Sequence, residues 1–267
     1  MCRHTRTRAR VGRQRRADEL RSRKGDRNVI VDVLEQIMDN SFDYFTKVTK
    51  TEKPEGFSAS HMLARYLQAP KHLKLSIPLS EITGLDTGYF ASRIISSGRI
   101  GDTYCNHQLY QDIRDVSTEY LAKFDAVIIL SAISNDPMGN KFEDVTNSIN
   151  HLAVKKIIEP YLKLKNKRLV FASSCSMYGA SEGEAKKEYD TLNPLTAYSK
   201  SKVAVEKALQ KCQLGRGTTA TSLRFATACG MSDRLRLDLV LNDFVASALI
   251  HKRIKILSDG TPWRPLI

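Results

Sequence analysis

Residues 168–202 read RLVFASSCSMYGASEGEAKKEYDTLNPLTAYSKSK, and this stretch decides the fold. Its opening, LVFAS, is a short run of apolar and β-branched residues. It is entered through Lys167 and Arg168 and left through small polar residues, the pattern of a parallel strand covered on both faces. Pro194 and Thr196 then precede AYSKSKVAVEKAL, where Ala, Val and Leu recur every three or four residues. That spacing predicts a helix with the proline in its first turn. Tyr198 and Lys202 lie four residues apart and therefore share one face of it. A lysine one turn from a tyrosine favours the phenolate and pulls a phenol pKa of ordinarily about 10 downward. The Ser174 hydroxyl, at the strand end, suits steadying the same oxygen and a substrate oxygen.

The Tyr-x-x-x-Lys spacing is weak alone in a chain with 10 tyrosines. Tyr161 and Lys165 repeat it without a serine-ended strand before them, and they are expected at the solvated end of a connecting helix. Context singles out Tyr198. The stretch resembles the extended short-chain dehydrogenase/reductases, the NAD-dependent sugar-nucleotide epimerases and dehydratases. In that family the strand ends in SS-x-x-x-YG and the helix carries P-x-x-x-Y-x-x-x-K. Here the two patterns are Ser173, Ser174, Tyr178 and Gly179, followed by Pro194, Tyr198 and Lys202. The resemblance implies that Ser174, Tyr198 and Lys202 are catalytic, with Tyr198 taking a sugar hydroxyl proton and Lys202 also holding the nicotinamide ribose.

Outward from this stretch, strands and helices alternate, which suggests an α/β, doubly wound parallel sheet of Rossmann-like type, incomplete at both ends. EITGLD reads as a strand ending in Asp86. An acid there can hold the adenosine ribose 2′-hydroxyl and repel a 2′-phosphate, which favours NAD over NADP. HQLYQDIRD reads as a strand ending in Asp112 and Ile113, residues that the resemblance places at the adenine, and STEYLAKF as a short capped helix. FDAVIILSAISND gives a strand with an unbroken apolar run through Leu130. The small residues Ser131 and Ala132 at its end suit close approach of a cofactor. A long amphipathic helix is expected over residues 142–165, and the resemblance sets its Asn150 near the active site. TATSLRFAT reads as a strand with alternating burial. LDLVLNDFVASALIHK reads as an amphipathic helix, RIKIL as a strand, and SDGTPWRPLI as the start of a substrate-side loop. By resemblance Arg264 helps bind the diphosphate of a nucleotide sugar, and Asn242 is a further candidate to face that site.

The first 80 residues name no function. NVIVDVL reads as a strand, LEQIMDNSFDYF as helical, KVTKTEKPEG as a linker and SASHMLARYLQA as a short helix stopped by Pro70. A dinucleotide site of this kind needs a glycine-rich turn roughly 20 residues before the acid at Asp86, because only glycine lets backbone amides close on a pyrophosphate. The residues at that point are FSASHMLARY, and Gly12, Gly25, Gly56 and Gly84 form no such fingerprint. The expected division is a basic tail and poorly defined segment over 1–80, then an NAD-binding domain with the start of a substrate lobe over 81–267. On this reading the chain is the middle of an enzyme, with NAD affinity severely weakened.

Composition sets the remaining bounds. The chain has 267 residues, 42% of them hydrophobic, enough for one full α/β core. No apolar run is long enough to span a membrane and no signal-peptide pattern is present, so a cytoplasmic protein is expected. Five cysteines without a C-x-x-C pair argue for reduced thiols and against a zinc site. The net charge is +13, but residues 1–27 hold 11 of the 42 basic and 3 of the 29 acidic residues, a net of +8 that leaves +5 for the rest. The basicity is a tail without interleaved aromatics, which makes nucleic acid an unfavoured partner.

The function expected is an NAD-dependent epimerase or related oxidoreductase acting on a nucleotide-activated sugar, with a homodimer left open. Dehydration at carbons 4 and 6 is disfavoured, because the family's Asp-Glu pair falls on Cys175 and Ser176. Cys175 as a nucleophile is weighed against a structural thiol, and the latter is preferred. The alternative from another class is an inactive binding or scaffold remnant that has lost the pyrophosphate loop.

Overall fold

The computed structural model describes residues 83–87, 107–134, 136–180, 185–230, 235–260 and 265–266. The segments read from residues 28–34, 35–46 and 58–69 lie outside these, as does Arg264. Five strands are described: β1 (Thr83–Asp86), β2 (His107–Tyr110), β3 (Ala126–Ile129), β4 (Arg168–Ser174) and β5 (Thr219–Phe225). All pairing between them is parallel, in the orders β1-β2 and β3-β4-β5. Phe171 stands opposite Ile129 on one side and Ser222 on the other. With helices described between β2 and β3, β3 and β4, and β4 and β5, this is the Rossmann-like α/β arrangement expected from the sequence.

β4 is central among the described strands, paired along both edges, and both of its faces are covered. Leu169, Val170 and Phe171 are all buried, which is why LVFAS carries no alternation. The core gathers Leu169 and Phe171 with Ile129, Val154, Ile157, Ile158, Leu162 and Val205. Helix α1 (Thr118–Leu121) starts at the Ser117 cap, as read from the sequence, and the Lys167 ammonium donates to the Ala122 and Phe124 carbonyls just beyond its end.

The long helix expected over 142–165 runs instead as α2 (Asp136–Lys141), α3 (Glu143–Asn147), a π-helical turn (Ser148–Ala153) and α4 (Val154–Leu162). Thr146 and Asn150 are buried on it, where a simple amphipathic helix would bury only apolar side chains. Tyr161 corrects a second expectation. Its ring is fully buried in the core and its hydroxyl donates to the Phe124 and Arg168 carbonyls, so burial pushes its pKa up. Only Lys165 of that pair is solvated.

Other boundaries shift as well. β2 stops at Tyr110, because Asp112 turns the chain by capping the 3-10 turn Ile113–Asp115. β3 stops at Ile129, one residue short of Leu130. β5 shows no strict alternation, since only Thr221 and Phe225 are exposed along it. RIKIL forms no strand: Ile254, Ile256 and Leu257 are exposed, and β propensity without a covering element does not make one. The chain instead returns to the sheet in a parallel bridge between Thr227 and Leu266. Among the described residues no helix is long and apolar enough to cross a membrane.

Helix α5 (Ala197–Lys211) is nucleated by a capping box. The Thr196 hydroxyl accepts from the Ser199 amide, and the Ser199 hydroxyl accepts from the Thr196 amide. Pro194 therefore sits two residues outside the cap, not in the first turn. The chain reaches that cap from β4 through the 3-10 turn Cys175–Tyr178, which is closed by Gly179. Gly179 has φ +67°, and a Cβ there would lie 2.0 Å from the Asn193 carbonyl oxygen. Gly179→Ala should therefore destabilise the protein by at least about 2 kcal/mol in urea unfolding, from left-handed strain together with the clash.

A second brace joins β5 to α5. Arg224 forms a two-pronged ion pair with Glu206 and also donates to the Tyr178 hydroxyl and the Glu188 carbonyl. Both charged side chains are largely removed from water, at 16% and 7% exposure, so loss of one partner strands the other. Glu206→Leu is expected to cost about 3 kcal/mol, and Glu206→Leu with Arg224→Met distinctly less than the two single changes added together, measured as a double-mutant cycle.

Candidate active site

The carboxyl ends of β3, β4 and β5 lie along one edge, and α5 packs there. Lys202 is 2% exposed, and its ammonium donates to the Ala172 carbonyl at 2.6 Å. It lies 4.7 Å from the centroid of the Phe171 ring and 5.4 Å from that of Tyr198. One carbonyl and two aromatic faces replace its hydration shell incompletely. Burial accordingly pulls its pKa from 10.5 to about 8.

Tyr198 is partly buried beside it, with the Ser174 side chain close to its phenol. The Ser174 hydroxyl also accepts from the Ser176 amide at 3.2 Å, which fixes the β4 end of the pair. The downward shift expected for the phenol does not occur in this structure. Burial raises the Tyr198 pKa, the charges of Asp136 and Cys175 add to the rise, and the nearby Ser174 hydroxyl and the Arg236 charge oppose it. The Lys202 ammonium is committed to the Ala172 carbonyl and the ring faces, and burial weakens its hold on its own proton.

The structure thus brings Ser174, Tyr198 and Lys202 together. Ser131 and Ala132 follow β3 along the same edge, and Asn150 fixes the loop they begin. Its side-chain oxygen accepts from the Ile133 amide at 2.8 Å and its nitrogen donates to the Ile133 carbonyl at 3.0 Å. The π turn points this buried amide at the loop. Asn242, on α6 (Val240–His251), does comparable work elsewhere: its oxygen accepts from the Gly230 amide and its nitrogen donates to the Arg236 carbonyl. It shapes a loop.

Other candidates stand apart from the tyrosine. Asp86 is exposed at the end of β1, where its carbonyl accepts from the Gln111 amide. Asp112 is engaged with Arg114 through its backbone amide and guanidinium, which holds the Asp112 carboxyl below its usual range. Ile113 is 8% exposed and belongs to the core cluster.

Two residues near Tyr198 were not singled out from the sequence. Asp136 opens α2, which packs on α5: the Asn140 side chain accepts from the Ala197 amide, and a Cβ on Gly139 would meet the Tyr198 amide at 4.0 Å. Its Oδ1 is buried without a hydrogen-bond partner. Arg236 reaches back from the loop before α6 to the Ser134 hydroxyl while pairing with Asp238. The Asp136-Pro137 pair is a legible helix start, but no sequence spacing relates it to Tyr198.

A serine-ended parallel strand carrying a buried lysine and a tyrosine on the next helix marks an α/β protein of the Rossmann-like class. The profile of the NAD dependent epimerase/dehydratase family matches residues 55–267, and the chain belongs to that family. An uncharacterised UDP-glucose epimerase of Bacillus subtilis strain 168, YtcB, is 29% identical over 142 residues, which are 52% of this chain and 44% of that protein. The chain thus spans less than half the length of this curated relative.

Solved structures share the fold. TunA, an NAD-dependent NDP-hexosamine 5,6-dehydratase, superposes with a TM-score of 0.62 at 21% identity, over 79% of this chain and 64% of that one. The UDP-glucuronic acid 4-epimerase of Bacillus cereus gives 0.59 at 23% identity, over 79% and 66%. DesIV, a dTDP-glucose 4,6-dehydratase of Streptomyces venezuelae, gives 0.62 at 19% identity, over 79% and 65%.

Lys202 yields a pH signature of the fold itself. Below about pH 8 it is charged in both folded and unfolded chains, and burying that charge costs about 3 kcal/mol relative to high pH. Between pH 8 and 10.5 the unfolded chain binds the proton more tightly, so stability rises with pH. Relative to Lys202→Met, the wild-type unfolding free energy should climb by up to about 3 kcal/mol across that window in paired urea titrations.

Proposed function

We propose that this protein is an NAD-dependent epimerase or related oxidoreductase of a nucleotide-activated sugar, with Tyr198, Lys202 and Ser174 as its catalytic group. The observation that carries the reading is the buried cluster itself: a lysine stripped of water, held against the ring of a tyrosine that lies close to a strand-end serine. A structural role alone gives no reason to bury an ammonium at the edge of a sheet, where it costs stability.

The residues suit the nicotinamide half of NAD. Lys202 uses one hydrogen bond on Ala172 and has further N–H groups for ribose hydroxyls. Ser131 and Ala132 offer small side chains at the end of β3, and Ser173 and Ser176 have buried hydroxyl oxygens without partners. Asp86, Asp112 and Ile113 are the candidates for the adenosine half. Bound NAD supplies the hydride acceptor. Within the chain, the Tyr198 phenolate takes the sugar hydroxyl proton as the carbon is oxidised, and the phenol returns it on reduction from the other face. Ser174 steadies the shared oxygen, and the Lys202 charge stabilises the phenolate once ligands exclude water. Asn150 keeps the β3 loop in register, and Asn242 and Arg264 belong to the sugar-nucleotide side.

An inactive remnant is the second reading, and one observation favours it: residues 1–84 contain no glycine-rich fingerprint for a pyrophosphate. Calorimetric titration of the full chain with NAD separates the two. Micromolar binding supports the enzyme, and no binding at millimolar NAD supports the remnant. Where NAD binds, Tyr198→Phe should lower turnover of the nucleotide sugar by about 10²-fold or more with little change in NAD affinity. Unchanged turnover would remove Tyr198 from the chemistry.

A further inference from the structure

Among the described residues, four buried side-chain oxygens lack a hydrogen-bond partner, and the carboxylate among them belongs to Asp136. An ionisable oxygen removed from water without a donor is costly, and folded proteins keep such a group only where something else satisfies it. The surroundings narrow what that is. Asp136 begins α2, and α2 packs against the first turn of α5, so the carboxylate lies on the side of the site that carries Tyr198.

Among the described residues, the charges of Asp136, Arg236 and Cys175 act on the phenol, Ser174 lies close to it, and the Lys202 ammonium lies 5.4 Å from its ring centroid. The two cations are committed elsewhere. Lys202 donates to the Ala172 carbonyl. Arg236 grips Asp238 with its Nε and Nη2, at 3.1 and 2.7 Å, and the Ser134 hydroxyl with its Nη1, at 3.0 Å. Asn242 holds the Arg236 carbonyl and so keeps that arrangement in place. Asp136 Oδ1 has no hydrogen-bond partner, and among the described residues neither Lys202 nor Arg236 is hydrogen-bonded to it.

We infer that Asp136 is a substrate-contacting residue whose carboxylate accepts a hydrogen bond from a sugar hydroxyl next to the one served by Tyr198, so that the site takes neutral sugars and rejects uronic acids. The inference rests on the nucleotide-sugar reading above and sharpens its substrate class. A hydroxyl donor satisfies Oδ1 and forms a charge-assisted hydrogen bond, which is stronger than one between neutral groups. A uronate carboxylate at the same place puts two like charges together in a partly dry site, and such a juxtaposition costs several kcal/mol.

The test is calorimetric binding of UDP-glucose, UDP-glucuronic acid and UDP alone to the full chain with NAD present, in wild type and Asp136→Asn. Wild type should bind UDP-glucose at least about tenfold more tightly than UDP-glucuronic acid. Asp136→Asn should weaken UDP-glucose by about tenfold and bring the two sugars to within about threefold of each other, while binding of UDP alone stays unchanged. Thermal unfolding of the variant should give an equal or higher Tm, because the buried atom without a partner then belongs to a neutral amide. Equal wild-type affinities for the two sugars, or a preference that survives in Asp136→Asn, would overturn the inference and leave the nucleotide-sugar reading standing. A loss of NAD affinity with sugar binding intact would place Asp136 on the cofactor side and also overturn it. Failure of both sugars and of UDP alone to bind would overturn the nucleotide-sugar reading, and the inference with it.

Discussion

The contact on which the rest of the site depends is the one between the Lys202 ammonium and the Ala172 carbonyl. It joins the middle of α5 to the last residues of β4 through a charge that has almost no access to water. A buried charge tolerates little displacement, because each fraction of an ångström lost from its carbonyl or from the Phe171 and Tyr198 ring faces leaves desolvation unopposed. The helix is thereby fixed in rotation as well as in position. Since Tyr198 lies one turn away on the same face, fixing Lys202 also fixes the phenol against Ser174.

Two further devices keep that contact from being pulled apart. The capping box at Thr196 and Ser199 starts α5 at a defined residue, and the tight turn at Gly179 sets how the chain arrives there from β4. On the far side of β4, the ion pair between Arg224 and Glu206 ties the same helix to β5 and, through Tyr178, back to the turn. Glu206 lies four residues beyond Lys202, so one helical face carries the phenol, the buried cation and the buried anion in succession. These polar residues are buried where an ordinary amphipathic helix would place leucines, and they bring geometry more than stability.

The edge on which these groups converge is built by small local corrections. The π turn at Ser148–Ala153 presents the Asn150 amide to both backbone groups of Ile133, which holds the loop after β3 beside the cluster. Asn242 does the same for the loop before α6, and Arg236 then crosses to Ser134. Two loops far apart in sequence are thereby linked near the phenol, and Asp136 Oδ1 is left without a hydrogen-bond partner.

The sequence by itself determined the parallel α/β architecture, the strand at 168–174, the helix after Thr196 and the trio Ser174, Tyr198 and Lys202. Those features are written in local patterns: an unbroken apolar run, a cap and a four-residue spacing. It misjudged Tyr161 and RIKIL because burial and strand pairing depend on what else is packed nearby, which no local window contains. It also expected a lowered phenol pKa from proximity alone. The tertiary structure decided otherwise, since desolvation acts on lysine and tyrosine together and the lysine turns one of its donors to a carbonyl. Asp136 and Arg236 became visible only once the loops after β3 and before α6 were folded over Tyr198. Their sequence separations from it, 62 and 38 residues, correspond to no periodicity that a helix or strand imposes.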